Sequence, residues 1–242
     1  MVSKNQIKLI TSLQQKKFRN EHNLFLAEGE KVIQELLESH FELDQLFETE
    51  SIFTKVNSDK KQIITMPDLK KITALSTPNN CLALFKIPNQ KLNNTSTFQV
   101  ALDDIRDPGN LGTIIRLCDW YGVTELICSK ETADVYNPKV VQATMGSLSR
   151  VNVIYTDLAT YLSESKLKIY GTFMDGKNIY KETISPEGIL LLGNEGNGIS
   201  EKLEKLVTQK ISIPRFGDIQ KTESLNVATA TAIFLSEFKR NS

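Results

Sequence analysis

From residue 98 to the end of the chain, short apolar runs recur at residues 100–105, 126–129, 152–155, 169–174, 189–192 and 211–213. Each is the length of a strand and too short for a typical helix. Between most of them apolar positions return at helical spacing, over residues 111–121, 138–149, 158–165 and 201–207. Strands alternating with helices in this way predict an α/β fold with a mainly parallel sheet covered on both faces. In such sheets ligands bind beyond the carboxyl ends of the strands. The segments that follow the apolar runs are therefore where chemistry is expected.

Residues 1–90 predict a smaller α/β unit. A helix is expected ahead of "NLFLAEG", and residues 31–39 place Val32, Ile33, Leu36 and Leu37 on one helical face. Strands are expected at residues 43–47, 62–66 and 81–85, with a helix after Pro67. The stretch "KIPNQKLNNTSTF" has no apolar periodicity and is rich in Asn, Thr, Lys and Pro, the composition of a linker. The expected organisation is an N-terminal domain at 1–90, a linker at 91–97 and a second domain at 98–242.

Composition narrows the class. At 242 residues, 40% apolar and 24% charged, the chain reads as an ordinary soluble globular protein. No apolar run approaches the roughly 20 residues that span a bilayer, and "MVSKNQIKLITSLQQ" lacks the apolar core of a secretion signal. Cys81, Cys118 and Cys128 are odd in number and lack CxxC spacing, which points to a reducing, cytoplasmic setting. His22 and His40 have no metal-ligand spacing, and there is no GxSxG elbow. Net charge is zero, but residues 1–20 hold Lys4, Lys8, Lys16, Lys17 and Arg19 without one acid, whereas residues 21–50 hold nine acids against Lys31 alone. A basic face of this kind can track phosphates; it is also the pattern of a solvated helix surface.

Three segments at strand ends carry candidate chemistry. In "DDIRDPGNLGTIIRLCDWYG", Asp107-Pro108-Gly109 is turn chemistry, Asn110 stands where a helix begins and Arg116 lies within it. The plain alternative makes Asn110 a helix cap and Arg116 a solvated side chain. In "ILLLGNEGNGIS" a buried strand runs into glycines surrounding Glu195. The loop lacks the Gly-Lys-Ser/Thr ending of a P-loop, and its glycines at 193, 196 and 198 are in the wrong order for a dinucleotide fingerprint. In "ISIPRFGDIQKTESLNVATATAIFLSEF" a helix is expected to start near Ser224, with Ser224 as its cap and Asn226 just inside. Residues 227–235 are small or apolar almost throughout, which implies burial on more than one side, in a core or a subunit interface.

Taken in order, "DPGNLGTIIR", "LLLGNEGNGIS" and "IPRFG…TESLNVATATAI" resemble the three signature motifs of the SpoU (TrmH-like) family of RNA 2′-O-ribose methyltransferases, in the SPOUT superfamily, over about residues 98–242. "NPKVVQATMGSLSRV" and "GTFMDG" resemble family segments between the first two motifs, and "KKFRNEHNLFLAEGEKVIQELL" resembles the substrate-binding domain often found ahead of this catalytic domain. The resemblance implies a trefoil knot in the C-terminal domain, which ordinary chain-topology rules exclude. It implies a homodimer and S-adenosylmethionine as methyl donor, held by backbone near Gly193, Ile213 and Leu225 with Thr172 as a further contact, and no metal. It places Asn110, Arg116, Glu195, Ser224 and Asn226 around the methyl-transfer site, on a tRNA or rRNA substrate.

The family casts Arg116 as activator of the ribose hydroxyl. Deprotonating an arginine at neutral pH costs upwards of roughly 7 kcal/mol. The expectation is therefore that Arg116 acts with the adjoining RNA phosphate, directed by Asn110 and Asn226, while Glu195 braces the glycine loop or Arg116 itself. Lys16, Lys17 and Arg19 are the expected RNA-docking face. Two other classes stand beside this reading. A binding module of the same fold without catalysis would not need five polar groups at strand ends, and a nucleotide-hydrolysing enzyme is disfavoured by the loop spacing. The loop of residues 215–223, with Arg215, Asp218 and Lys221, departs from the shortest family versions in length and charge.

Overall fold

The computed structural model describes residues 1–90, 96–217 and 224–240, so linker residues 91–95 and, in the long charged loop, Asp218, Lys221 and Glu223 lie outside the described residues. The described chain forms two compact units, Met1–Asn89 with Asp134–Arg150, and Gln90–Ala133 with Val151–Ser242.

In the first unit, α1 (Lys4–Ser12) starts at a reciprocal capping box between Ser3 and Gln6. After α2 (Lys16–His22) the chain turns through Asn23 at φ 54°, the left-handed ending that asparagine tolerates. Then follow β1 (Leu24–Glu28), α3 (Glu30–Leu37), β2 (Leu43–Glu48), β3 (Lys61–Ile63), α4 (Met66–Ile72) and β4 (Cys81–Lys86). The sheet order is β1-β4-β2-β3, with β4 antiparallel to both β1 and β2, and β2 parallel to β3. The sequence pattern ended the opening helix ahead of "NLFLAEG" but named no strand there. All five residues of β1 are buried, so it lacks the alternation that marks a half-buried strand.

Asp134–Arg150 belongs to this unit rather than to the one that flanks it in sequence. Its helix α6 (Pro138–Thr144) packs on β1, and the Tyr136 ring lies 4.8 Å from that of Phe25. The helix expected over 138–149 is broken where Met145 and Gly146 take φ of 53° and 96°, and a 3-10 turn, Ser147–Ser149, follows. Glu28, buried at the end of β1, accepts hydrogen bonds from the Ala74 amide and the Thr73 hydroxyl. Burial pushes its carboxyl above the ordinary range, and those two bonds pull it partly back.

The second unit is a six-stranded, wholly parallel sheet of order β10-β8-β9-β5-β6-β7. Its strands are β5 (Phe98–Leu102), β6 (Glu125–Ser129), β7 (Asn152–Thr156), β8 (Ile169–Asn178), β9 (Gly188–Leu192) and β10 (Gln209–Ser212). Helices α5 (Pro108–Trp120), α7 (Leu158–Glu164), α8 (Glu201–Glu204) and α9 (Val227–Lys239) fall where the pattern placed helices, although α8 is a single turn. Five-residue strands β5, β6 and β9 are buried along their whole length, as interior strands of a doubly covered sheet must be. One cluster of the core joins Ala101, Ile127, Ile189 and Leu191 of the sheet to Leu158 and Leu162 of α7. β8 is longer than its apolar run. Its pairing with β10 jumps from Gly171↔Lys210 to Lys177↔Ile211, so residues 172–176 leave the ladder. The excursion is pinned again by Ser212, whose hydroxyl donates to the Gly176 carbonyl at 2.7 Å.

Among the described residues no helix is long and apolar enough to cross a membrane.

Candidate active site

The parallel strands β5, β9 and β10 point the same way, so the segments after them emerge at one edge of the sheet. After β5 the chain passes Asp103 and Asp104 to α5. Asp107 caps that helix, accepting the Asn110 amide at 2.8 Å, with Pro108 at the first helical position. Asn110 is therefore inside the first turn and is not the cap, which leaves its side chain available for other partners.

After β9 the glycine loop closes on itself. The Asn194 amide donates to the Gly198 carbonyl at 3.0 Å, and the Gly198 amide donates back to Asn194 at 2.9 Å. Asn194 Oδ1 accepts from the amides of Gly196 and Asn197, at 2.9 and 3.1 Å. A Cβ on Gly193 would stand 2.2 Å from the Gly198–Ile199 backbone. What approaches the backbone at Gly193 is thus the loop's own returning arm.

Three further bonds fasten this loop to the segment after β5. Asn194 Nδ2 donates to the Asp104 carbonyl at 2.7 Å, the Ser200 amide donates to Asp103 Oδ2 at 2.8 Å, and Asn110 Nδ2 donates to Glu195 Oε1 at 2.9 Å. Asp104 is held at φ 58°, unusual for a residue with a side chain, by the Asn194 bond and by its own amide donating to Ser129 Oγ.

The third segment enters through Asn226. The structure makes Asn226 the cap of α9, accepting from the amides of Ala228 and Thr229, while Ser224 lies outside the helix and is exposed. This corrects the expected helix start. The reason is local: an asparagine cap directly followed by Val227 and Ala228 lets the first apolar residues sit in the core. With Oδ1 engaged in capping, Asn226 Nδ2 donates to Asn110 Oδ1 at 2.9 Å. The result is a relay from Asn226 through Asn110 to Glu195, one residue from each of the three segments.

Arg116 is not part of the relay. It is exposed on α5, six residues beyond Asn110, on a face about 120° away from it around the helix. Among the described residues no hydrogen bond or ion pair holds it, so the expected bracing of Arg116 by Asn110, Asn226 or Glu195 is not present in this structure. Gly193, Ile213 and Thr172 are half-buried and Leu225 is exposed; Thr172 opens the excursion of β8. A cavity of about 230 Å³ lined by Glu182, Glu237 and Arg240 lies at the opposite end of α9, roughly 18 Å along the helix from Asn226, and is separate from this cluster.

In the first unit Lys16 and Lys17 are exposed at the start of α2, but Arg19 is only 2% exposed. Its Nε and Nη2 donate to Asp134 Oδ2, and its Nη1 donates to the Leu13 carbonyl at 2.7 Å. Arg19 is therefore corrected from an RNA-docking residue to a buried structural one, since its guanidinium is satisfied inside the unit. Sequence reasoning missed Asp103, Asp104 and Asn194. Asn194, between glycines, carried a turn signal, but nothing local named Asp104 as its partner.

Residues 97–236 match the family model of the SpoU rRNA methylase family, and residues 4–83 match that of an MRM3-like substrate-binding domain. The chain is 32% identical over 243 residues to the 23S rRNA (guanosine(2553)-2′-O)-methyltransferase RlmP of Bacillus subtilis, with 96% of each chain covered. Among solved structures it matches a Porphyromonas gingivalis protein assigned to the TrmH family of RNA methyltransferases, at a TM-score of 0.91 and 35% identity over 100% of both chains. It also matches an AdoMet-bound rRNA methyltransferase from Sinorhizobium meliloti, at a TM-score of 0.88 and 27% identity over 99% of this chain and 97% of that one. The matched methylase span contains the whole relay and the three segments that build it. The chain belongs to the SpoU rRNA methylase family.

Proposed function

We propose that this protein transfers a methyl group from S-adenosylmethionine to a ribose 2′-hydroxyl of RNA, in the cytoplasm. The observation that carries the reading is the relay Asn226–Asn110–Glu195, which ties together the segments after β5, after β9 and before α9. Of the two RNA classes, ribosomal RNA is favoured, because a relative matched over 96% of each chain is named for a 23S rRNA 2′-O-methylation.

The residues present fit the cofactor. Half-buried Ile213 and exposed Leu225 offer apolar contact on either side of the polar connection, and Gly193 is packed so tightly against Gly198–Ile199 that backbone rather than side chain lines that part of the edge. Backbone near Gly193, Ile213 and Leu225 would hold the adenine and ribose, with Thr172 as a further contact to the cofactor. When bound, the cofactor supplies a methyl group already activated on a cationic sulfonium. The protein's own task is alignment and exclusion of water.

In this reading Arg116 is a steering group and not a base. Its guanidinium grips the phosphate adjoining the target ribose, orients the 2′-oxygen and stabilises the negative charge that develops there. As the oxygen–methyl bond forms and the sulfur–methyl bond breaks, the hydroxyl proton passes by way of that phosphate's oxygen to solvent. The relay keeps the edge rigid beneath it, and Ser224 contributes its hydroxyl beside Asn226. A knotted C-terminal chain and a homodimer belong to the same reading. Support for the dimer is Trp120, 84% exposed at the end of α5, a helix that packs on α9, which itself has partly exposed Ala232 and Ile233.

The test is transfer of labelled methyl from S-adenosylmethionine to total RNA from a strain lacking the gene, followed by digestion to nucleosides. A 2′-O-methylated nucleoside is expected, and label on a base would overturn the reading. In the same assay Arg116→Ala should lower turnover by at least about 100-fold while cofactor affinity in calorimetry is kept. Near-normal turnover would remove Arg116 from the mechanism.

A further inference from the structure

Phe216 is 82% exposed, four residues past the end of β10. Ile213 and Pro214 before it are half-buried, so the chain leaves the sheet and the ring projects from it. Gly217 follows with φ +95°, and a Cβ there would meet nothing within 4 Å. The backbone therefore turns directly after the phenylalanine and faces open space as it does so. Among the described residues the ring stacks on no other ring. A benzyl group this exposed gains little from folding, and a smaller or polar residue would serve the backbone as well at this position.

Its place in the fold suggests what covers it. β10 is parallel to β5 and β9 in direction, so Phe216 emerges at the sheet edge where the relay lies. The connection it belongs to resumes at Ser224 and delivers Asn226, which is bonded to Asn110. A ribose brought to this edge carries its own base and the bases of its neighbours. Bases splayed from single-stranded RNA are held chiefly by stacking on exposed aromatic rings.

We propose that Phe216 is a stacking platform for a nucleobase at or next to the methylated nucleotide, and so positions the RNA and helps to select it. The inference rests on the RNA methyltransferase reading above. Its rivals for the ring are the adenine of the cofactor and a second copy of the chain.

The experiment compares the full-length wild-type protein with Phe216→Ala and Phe216→Trp, on the RNA identified by methyl transfer. For Phe216→Ala, kcat/KM for RNA should fall about 5- to 150-fold, the range expected when an aromatic platform is removed from a single-stranded nucleic-acid site. Phe216→Trp should recover most of that loss, and its fluorescence should be quenched by RNA more than that of the wild-type protein. S-adenosylmethionine affinity and the mass in light scattering should not change. Unchanged kcat/KM in Phe216→Ala would overturn the proposal, as would a tryptophan variant as slow as the alanine one. A parallel loss of cofactor affinity would give the ring to the adenine, and a change of mass would give it to a protein interface. If the wild-type protein methylates no RNA, the functional reading and this inference fall together; an active wild type with an unaffected alanine variant removes this inference alone.

Discussion

Asn226 does two jobs with two ends of one amide. Its Oδ1 caps α9 and its Nδ2 reaches Asn110, whose own amide goes on to Glu195. The two jobs separate by substitution. A serine keeps a capping oxygen and lacks the donor; alanine lacks both. Asn226→Ala should lose about 1 kcal/mol of stability in urea unfolding together with activity. Asn226→Ser should stay within roughly 0.5 kcal/mol of the wild type and lose as much activity as the alanine variant. A serine variant with full activity would show that the cap, and not the relay, is what this position supplies. Residue types were readable here before residue pairings. "SLNVA" and "GNEGNG" announce polar groups at strand ends, but which amide donates to which oxygen depends on distances between segments 85 and 116 residues apart in sequence.

At the scale of elements, the alternation of apolar runs and helical stretches gave the strands of the parallel sheet to within a few residues. It failed where burial hid the period, at β1, and where geometry ended a helix early, at Met145 and Gly146. β1 also carries a titrating load. Glu28 is buried at its end with a raised pKa, so between its ordinary value of 4.5 and the folded value the native state holds more protons than the unfolded chain. This contribution to stability is complete below 4.5 and is lost as pH rises through the folded pKa. Glu28→Gln keeps an oxygen for the Ala74 amide and gains a donor for the Thr73 hydroxyl, without a charge to bury. Urea midpoints measured across the weakly acidic range should fall with rising pH more steeply in the wild type than in this variant. Equal slopes would mean that Glu28 is not the group responsible.

For the molecule as a whole, the division into units does not follow the order of the sequence. Asp134–Arg150 leaves the sheet of the second unit to complete the core of the first, and Arg19 is consumed in holding it through Asp134. That removes Arg19 from the basic face and leaves Lys16 and Lys17 exposed on α2 as the docking residues we propose. Lys16→Glu with Lys17→Glu should weaken RNA binding and flatten its dependence on salt, by roughly 0.7 to 0.9 in log–log slope for each phosphate that is no longer neutralised. The check is a titration of binding at several ionic strengths. An unchanged slope would place the RNA elsewhere on the protein.

The sequence by itself determined the class of fold, the parallel sheet and the polar residues gathered at one edge of it, because strand length, helical period and turn chemistry are local properties. It also carried the family, because three motifs in order are a property of the string. Only the tertiary structure decided that Arg19 is buried, that Gly193 yields to its own loop, that Asn226 and not Ser224 caps α9, and that Arg116 stands apart from the relay. Each of these depends on what lies opposite a residue in space, and the partner across a fold leaves no mark at its own position in the chain.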